Sequence, residues 1–305
     1  SALCSLLSAL CSLLSALCIP LSCSRYEPEV RACPLDLTEP RPFMLVAQRK
    51  RIVRMDLTRP NSTMEVLPLI GVTNVIAMDF DLATDCVFWA DIDQDKIMKQ
   101  CLNDSSPPEV LAQSQLSSVE GMAYDHISQI LYFVDGSRKK IELLKVYKQH
   151  EGHLRKTILH EDKLGPNSKP RGIAVHPTQG YLFYSDWADK GACIGRSRLD
   201  GTEHKIIIDV DEKNKNKRIL GWPNGLTVDT VAERIYFVDA QKDFLASATL
   251  DGLDFKKIIS GRSEAAHPFA IAVNKGLVLW NDWTRKAIYQ ADKNSGQGVI
   301  MLEEN

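Results

Sequence analysis

The chain has 305 residues, of which 44% are hydrophobic and 25% charged, a balance that excludes a largely disordered protein and leaves material for a sizeable core. Lys and Arg total 37 against 39 Asp and Glu, and the net charge of −2 supplies no global field for nucleic acid or an anionic membrane. The eight cysteines include no C-x-x-C pair, which argues against zinc or thioredoxin chemistry and for disulfides in an oxidising compartment.

The N-terminal stretch is low in complexity. SALCSLL stands at 1–7 and again at 8–14, and SALC follows at 15–18. It has no basic n-region, and its serines and cysteines dilute its hydrophobicity. Residues 1–22 are read as an unstructured leader and set apart from the fold.

From Phe43 onward one pattern recurs: two aromatic or apolar residues, any residue, then Asp. It reads Phe88-Trp89-Ala90-Asp91, Tyr132-Phe133-Val134-Asp135, Phe183-Tyr184-Ser185-Asp186, Tyr236-Phe237-Val238-Asp239 and Leu279-Trp280-Asn281-Asp282. An apolar run precedes each copy and another follows it, and Asp200-Gly201 and Asp251-Gly252 supply turns before a fourth run. Leu45–Gln48 with Ile52–Leu57 and Val66–Leu69 forms a sixth, degenerate copy in which Gln48 stands where the others have Asp. Six repeats of four short strands predict an all-β, six-bladed propeller over residues 43–305. No stretch after residue 40 shows a sustained, capped helical period, so an α/β fold is not expected.

Within this pattern the hairpin Cys86–Asp91 and Lys96–Cys101, centred between Asp93 and Gln94, sets residue 91 opposite 96, 89 opposite 98, and 86 opposite 101. Directly opposed cysteines in a hairpin are within bridging reach, and a Cys86–Cys101 disulfide is expected, with Cys193 left without an obvious partner.

The aromatic-aromatic-x-Asp signature resembles the YWTD repeat, the class B repeat, of the LDL-receptor and LDL-receptor-related family. Lys169-Pro170-Arg171-Gly172-Ile173-Ala174-Val175-His176-Pro177, Gly221-Trp222-Pro223-Asn224-Gly225-Leu226-Thr227 and Ala266-His267-Pro268-Phe269-Ala270 carry further likeness. The resemblance implies an extracellular, non-catalytic module of a single-pass endocytic receptor, at the cell surface and in endosomes, with membrane attachment outside this sequence. It implies EGF-like neighbours, and Cys23 through Cys33 resembles the last loop of one, which makes residues 23–34 the remnant of such a module and pairs those cysteines. It gives the repeat aspartates a structural role, tying blades together through backbone hydrogen bonds. No cofactor is implied in the propeller, calcium belonging to neighbouring modules. Because the degenerate first copy begins at its second strand, the ring is expected to lack its closing strand, which in the resembling family comes from the C-terminal side.

Four antiparallel strands per blade send loops 2–3 and connections 4–1 to one face of the ring and loops 1–2 and 3–4 to the other. The first face collects Glu120, Arg171, Trp187, Trp222, His267 and Trp283, and tryptophan and arginine are the residues of interface hot spots. These six form the candidate ligand face, for extracellular protein ligands and for the acidic ligand-binding repeats of a parent receptor. His267 matches a position that resembling receptors use in acid-dependent rearrangement, and a histidine ordinarily titrates near about 6.5, so acid-dependent ligand release is an expectation. Lys213, Lys215, Lys217 and Arg218 make the strongest local basic cluster, read as a solvated loop. Asn61-Ser-Thr and Asn103-Asp-Ser are glycosylation sequons.

Two other readings stay open. One is a secreted, matrix-binding propeller of the nidogen kind. The other is a calcium-dependent hydrolase of the six-bladed lactonase type, for which the inner-strand ends Asp79, Asp125, His176, Asp229 and Asn274 would have to gather around a hard cation.

Overall fold

The computed structural model describes residues 42–58, 63–103, 106–147, 154–209 and 218–304. The leader, the Cys23–Cys33 segment, Asn61 and the lysines at 213, 215 and 217 lie outside the described residues.

Short β-branched and aromatic runs separated by turn residues cannot bury two faces alone, so they stack as sheets. Five four-stranded sheets and one three-stranded sheet result, each antiparallel and each formed from consecutive strands. Blade one holds Phe43–Ala47, Ile52–Asp56 and Glu65–Val66. Blades two to six begin with the seven-residue inner strands Val75–Asp81, Val119–Asp125, Pro170–His176, Pro223–Asp229 and Pro268–Asn274. Each signature lies on the second strand of its blade: Cys86–Asp91, Ile130–Asp135, Tyr181–Asp186, Arg234–Asp239 and Leu277–Asp282. The one α-helix among the described residues is the four-residue turn Glu161–Leu164, in the connection entering blade four.

The alternation of the signature builds the cores between blades. In blade five Phe237 faces blade four with Phe183, Ile194 and Leu220, while Tyr236 and Val238 face blade six with Val278 and Trp280. Similar clusters join blades one and two through Ile52, Val75 and Trp89, two and three through Phe88, Leu131 and Phe133, and three and four through Tyr132, Val134 and Leu182. Burying aromatics of this size contributes most of the fold's stability, at roughly 25 cal/mol per Å² of apolar area.

Glycine sets how close adjacent inner strands come. A Cβ on Gly121 would lie 2.3 Å from the Arg171 carbonyl oxygen, and one on Gly172 would lie 2.3 Å from that of Asn224. Any side chain there would push the neighbouring blade outward. In every blade from two to six the pairing of inner and second strand shifts register just after its first pair, Pro170 opposite Asp186 in blade four. Such a bulge bends the strand entrance and re-aims side chains at that end.

The blade-two hairpin has the expected register, Asp91 opposite Lys96, Trp89 opposite Met98 and Cys86 opposite Cys101, and the two cysteines are joined by a disulfide. Cys193 is a buried free thiol, and burial pushes its ionisation well above the ordinary thiol range.

Candidate functional site: an aromatic and cationic face over blades four to six

Each repeat aspartate is spent on the chain that enters its own blade. Asp91 accepts from Thr73 N at 2.7 Å, Thr73 Oγ1 at 2.6 Å and Asn74 N at 3.1 Å. Asp135 accepts from the amides of Ser117 and Ser118, and Asp186 from Ser168 Oγ and from the amides of Lys169 and Ala188. Asp239 takes the amides of Gly221 and Trp222, and Asp282 takes those of Ala266 and Arg285 together with Arg285 Nη1. For Asp91 burial favours the neutral acid, but these hydrogen bonds outweigh it and hold the carboxyl below the usual range. All five carboxylates are thus engaged in holding the chain around their own blades.

The hydrolase set does not assemble either. Asp125 and Asp229 cap their own turns through the amides of Ile127 and Ser128 and of Val231 and Ala232. His176 is fully buried and meets Glu233 Oε1 at 3.2 Å. Asp79 accepts from the amides of Phe80 and Tyr124, and burial pushes it up to about 6. No group of three or more candidate metal ligands occurs among the described residues.

Closing each blade aligns three columns of side chains at one end of the ring. The first residue after the aspartate lies across the connection, its amide bonded to the carbonyl of the residue just before the inner strand. This holds for Trp187 over Lys169, Ala240 over Trp222 and Trp283 over His267. The second residue of the inner strand forms the third column, with Glu120, Arg171, Asn224 and Phe269 in blades three to six. Glu120 and Arg171 thus belong to the strand entrances and not to the connections where sequence reasoning put them.

The columns converge over blades four to six. Arg171 Nε donates to Glu120 Oε2 at 2.5 Å and its Nη1 to Asn224 Oδ1 at 3.2 Å. Its guanidinium lies 4.4 Å from the Trp187 ring and 5.2 Å from that of Phe269, within reach for cation–π attraction. One side chain of blade four thus links blades three, five and six across the channel mouth. Phe269 stacks on Trp283 with centroids 4.3 Å apart and planes at 15°. His267 stands between Trp283 at 6.2 Å and Trp222 at 6.1 Å. Lys169 extends the series, 5.0 Å over Trp187 and ion-paired with Asp189. Trp283 is 51% exposed and Trp222 38%, an unusual degree of wetting for residues so costly to hydrate.

The His267 main chain is special. Its φ is +53°, and its amide donates to Asp243 Oδ1 of blade five at 2.8 Å, where Lys169 and Trp222 at the matching positions donate to the aspartate of their own blade. The structure therefore brings all six residues of the sequence-derived face into one arrangement. It adds Lys169, Asn224 and Phe269, which a column-by-column alignment of the repeats would have exposed. Arg218 sits apart, donating to the Lys190 carbonyl, and Asn103 is exposed beside the disulfide with Nδ2 donating to the Thr84 carbonyl.

The architecture defines the class first: a six-bladed β-propeller whose carboxylates close blades. Residues 180–230 match the family described as low-density lipoprotein receptor repeat class B. The chain is 36% identical over 279 residues to the sortilin-related receptor of Oryctolagus cuniculus, covering 92% of this chain and 12% of that protein. It is 27% identical over 269 residues to the vitellogenin receptor Yl of Drosophila melanogaster, covering 88% and 12%. The chain thus spans about one eighth of the length of these relatives. Among solved structures, the nidogen/laminin complex aligns with a TM-score of 0.71 at 25% identity, covering 85% of this chain and 92% of that one. A streptogramin B lyase shares the fold, with a TM-score of 0.60 at 13% identity over 86% of this chain and 80% of that one. The ring carries repeats of the low-density lipoprotein receptor class B type, and the relatives it matches are receptors by name.

Proposed function

We propose that this propeller is an extracellular protein-binding module of an endocytic receptor, and that its partners dock on the face built by Lys169, Arg171, Trp187, Trp222, His267, Phe269 and Trp283. The observation that carries this reading is the continuous aromatic and cationic series ending in two half-exposed tryptophans. Tryptophan and arginine in such settings are the residues that carry binding energy. The relatives support it, since both are receptors by name. No helix among the described residues is long and apolar enough to cross a membrane.

Acidic ligand-binding repeats of a parent receptor are the partner class we infer, together with protein ligands of that receptor. His267 between the two tryptophans is the group placed to couple this face to acidification: a protonated imidazole there meets two aromatic rings. The test is titration of a recombinant pair of calcium-loaded acidic receptor repeats onto the propeller at pH 7.4 and pH 5.5, with His267→Ala beside the parent. The reading expects tighter binding of the repeats at pH 5.5 and loss of that difference in the variant; an unchanged pH dependence removes His267 from it. A matrix-binding role is the second reading, favoured by the likeness to the nidogen propeller of a laminin complex, and binding to laminin in place of receptor repeats would select it.

A further inference from the structure

The connections that enter blades four, five and six all end on a residue followed by proline: Lys169-Pro170, Trp222-Pro223 and His267-Pro268. The amides of Lys169 and Trp222 donate to the aspartate of their own blade, Asp186 at 2.8 Å and Asp239 at 3.2 Å, and neither residue has a positive φ. His267 departs from them on both counts. Its φ of +53° is uncommon for a residue other than glycine, and the proline that follows narrows its backbone further, toward extended conformations. A backbone in such a state persists where its surroundings hold it there.

What holds it is Asp243, in the 2–3 hairpin of blade five. The Asp243 carbonyl accepts from Gly261 N and its Oδ1 from His267 N, each at 2.8 Å, so one residue fastens both ends of the connection 261–267. The aspartate of blade six is engaged elsewhere, accepting from Ala266 N at 3.1 Å and from Arg285 N and Nη1 at 2.8 and 2.6 Å. Arg285 Nη2 also donates to the Arg262 and Ser263 carbonyls, at 2.8 Å each, which pins the early part of the same connection. The effect reaches the aromatic face. His267 stands 6.1 Å from the Trp222 ring of blade five and 6.2 Å from the Trp283 ring of blade six. Among the described residues Trp222 meets one ring, that of His267, so its place in the series depends on where the imidazole is set.

We infer that Asp243 is a positioning residue of this face. By drawing the His267 amide toward blade five and away from Asp282, it sets the imidazole between Trp222 and Trp283 and joins the tryptophan of blade five to the stack of blade six. The inference rests on the binding role proposed for the face, on which Asp243 acts through His267. Without the carboxylate, the amide of residue 267 returns to the pattern of Lys169 and Trp222 and donates to Asp282, and the ring leaves Trp222.

The experiment compares Asp243→Gly and Asp243→Asn with the parent in the full chain. Glycine removes the carboxylate yet readily adopts the φ of +50° that residue 243 itself has. Asparagine keeps an acceptor oxygen and tolerates that backbone. Nuclear Overhauser contacts from the His267 ring protons to the two indoles are read in protein labelled at histidine and tryptophan, beside the affinity for the calcium-loaded pair of acidic repeats at pH 5.5. Both contacts are expected in the parent and in Asp243→Asn. In Asp243→Gly the contact to Trp222 should be lost and the dissociation constant should rise about fivefold. Both contacts intact in Asp243→Gly, whatever its melting temperature, would overturn the inference. So would a lost contact with unchanged affinity, where Trp222→Ala with Trp283→Ala weakens binding. If that tryptophan pair binds as the parent does, it is the binding role of the face that fails, and the ring contacts alone decide whether Asp243 places His267.

Discussion

The two ends of the ring use aspartate alike and surround it differently. At the end of the 1–2 loops, Asp81, Asp125 and Asp229 cap tight turns and leave Leu82, Ile127 and Val231 as isolated exposed apolar residues, Val231 at 93%. At the opposite end Asp91, Asp135, Asp186, Asp239 and Asp282 fasten each incoming connection. There blades four to six add a series in which Arg171 bridges the Trp187 and Phe269 rings, and Phe269, Trp283, His267 and Trp222 follow ring to ring. Carboxylates are therefore architecture at both ends, and among the described residues the connected aromatic and cationic series lies at one of them.

The largest expected effect comes from breaking a closure at the recognition end. Asp186→Ala leaves the buried Ser168 hydroxyl, the buried Ala188 amide and the half-buried Lys169 amide without their acceptor, at a cost of about 4 kcal/mol, which lowers the melting temperature by on the order of 10 °C. Replacing both Cys86 and Cys101 by Ser removes the constraint on a 15-residue separation and is expected to cost about 3 kcal/mol in denaturant unfolding.

At the other end, Asp229→Ala loses two turn amides and Lys293 and should cost about 1–2 kcal/mol. For Asp229 burial raises the carboxyl, but Lys293 and the turn amides win and hold it below its ordinary value. Its contribution is therefore present above the unfolded-state value and lost as pH falls through the folded one, so the parent and variant should converge in strong acid.

Asp79 on the channel wall runs the opposite way. Its carboxyl is pushed up to about 6, chiefly by desolvation, so the folded state favours the protonated form. The contribution of Asp79 is fully present below the unfolded value near 3.8 and is lost as pH rises through about 6. Asp79→Asn is expected to raise the melting temperature at pH 7.4 by a few degrees and to flatten its dependence between pH 4 and 7. The smallest stability effect is expected for Trp283→Ala, roughly 1 kcal/mol or less, because half of that side chain already faces water.

Much of this architecture is legible in the repeat alone. The spacing of the Asp-terminated signatures gives blade count, strand order and the two faces, and the period-2 alternation of Tyr236, Phe237 and Val238 gives which residue faces which neighbour. The candidate face was legible as residue types on loops of one end, because strand polarity fixes which loops share an end. The links within it were not. The Arg171 side chain reaches blades three, five and six because Gly121 and Gly172 bring the inner strands close, and that approach is a property of ring closure with no local sequence trace. Phe269 escaped for a related reason: beside Pro268 it reads as a buried strand residue, and only its stacking on Trp283 places it in the face. The half-burial of Phe43–Ala47 likewise depends on neighbours in space that its own sequence does not name.

The central claim, that recognition belongs to the aromatic face, is tested most directly by isothermal titration of calcium-loaded acidic receptor repeats onto three proteins: the parent, Trp222→Ala with Trp283→Ala, and Leu82→Ser with Val231→Ser at the opposite end. Each pair removes exposed side chains, so melting curves should stay close to the parent. The account predicts at least a tenfold weaker dissociation constant for the tryptophan pair and an unchanged one for the Leu82 and Val231 pair. Parent-like affinity in the tryptophan variant, with weakened affinity in the other, would move recognition to the opposite face and contradict it.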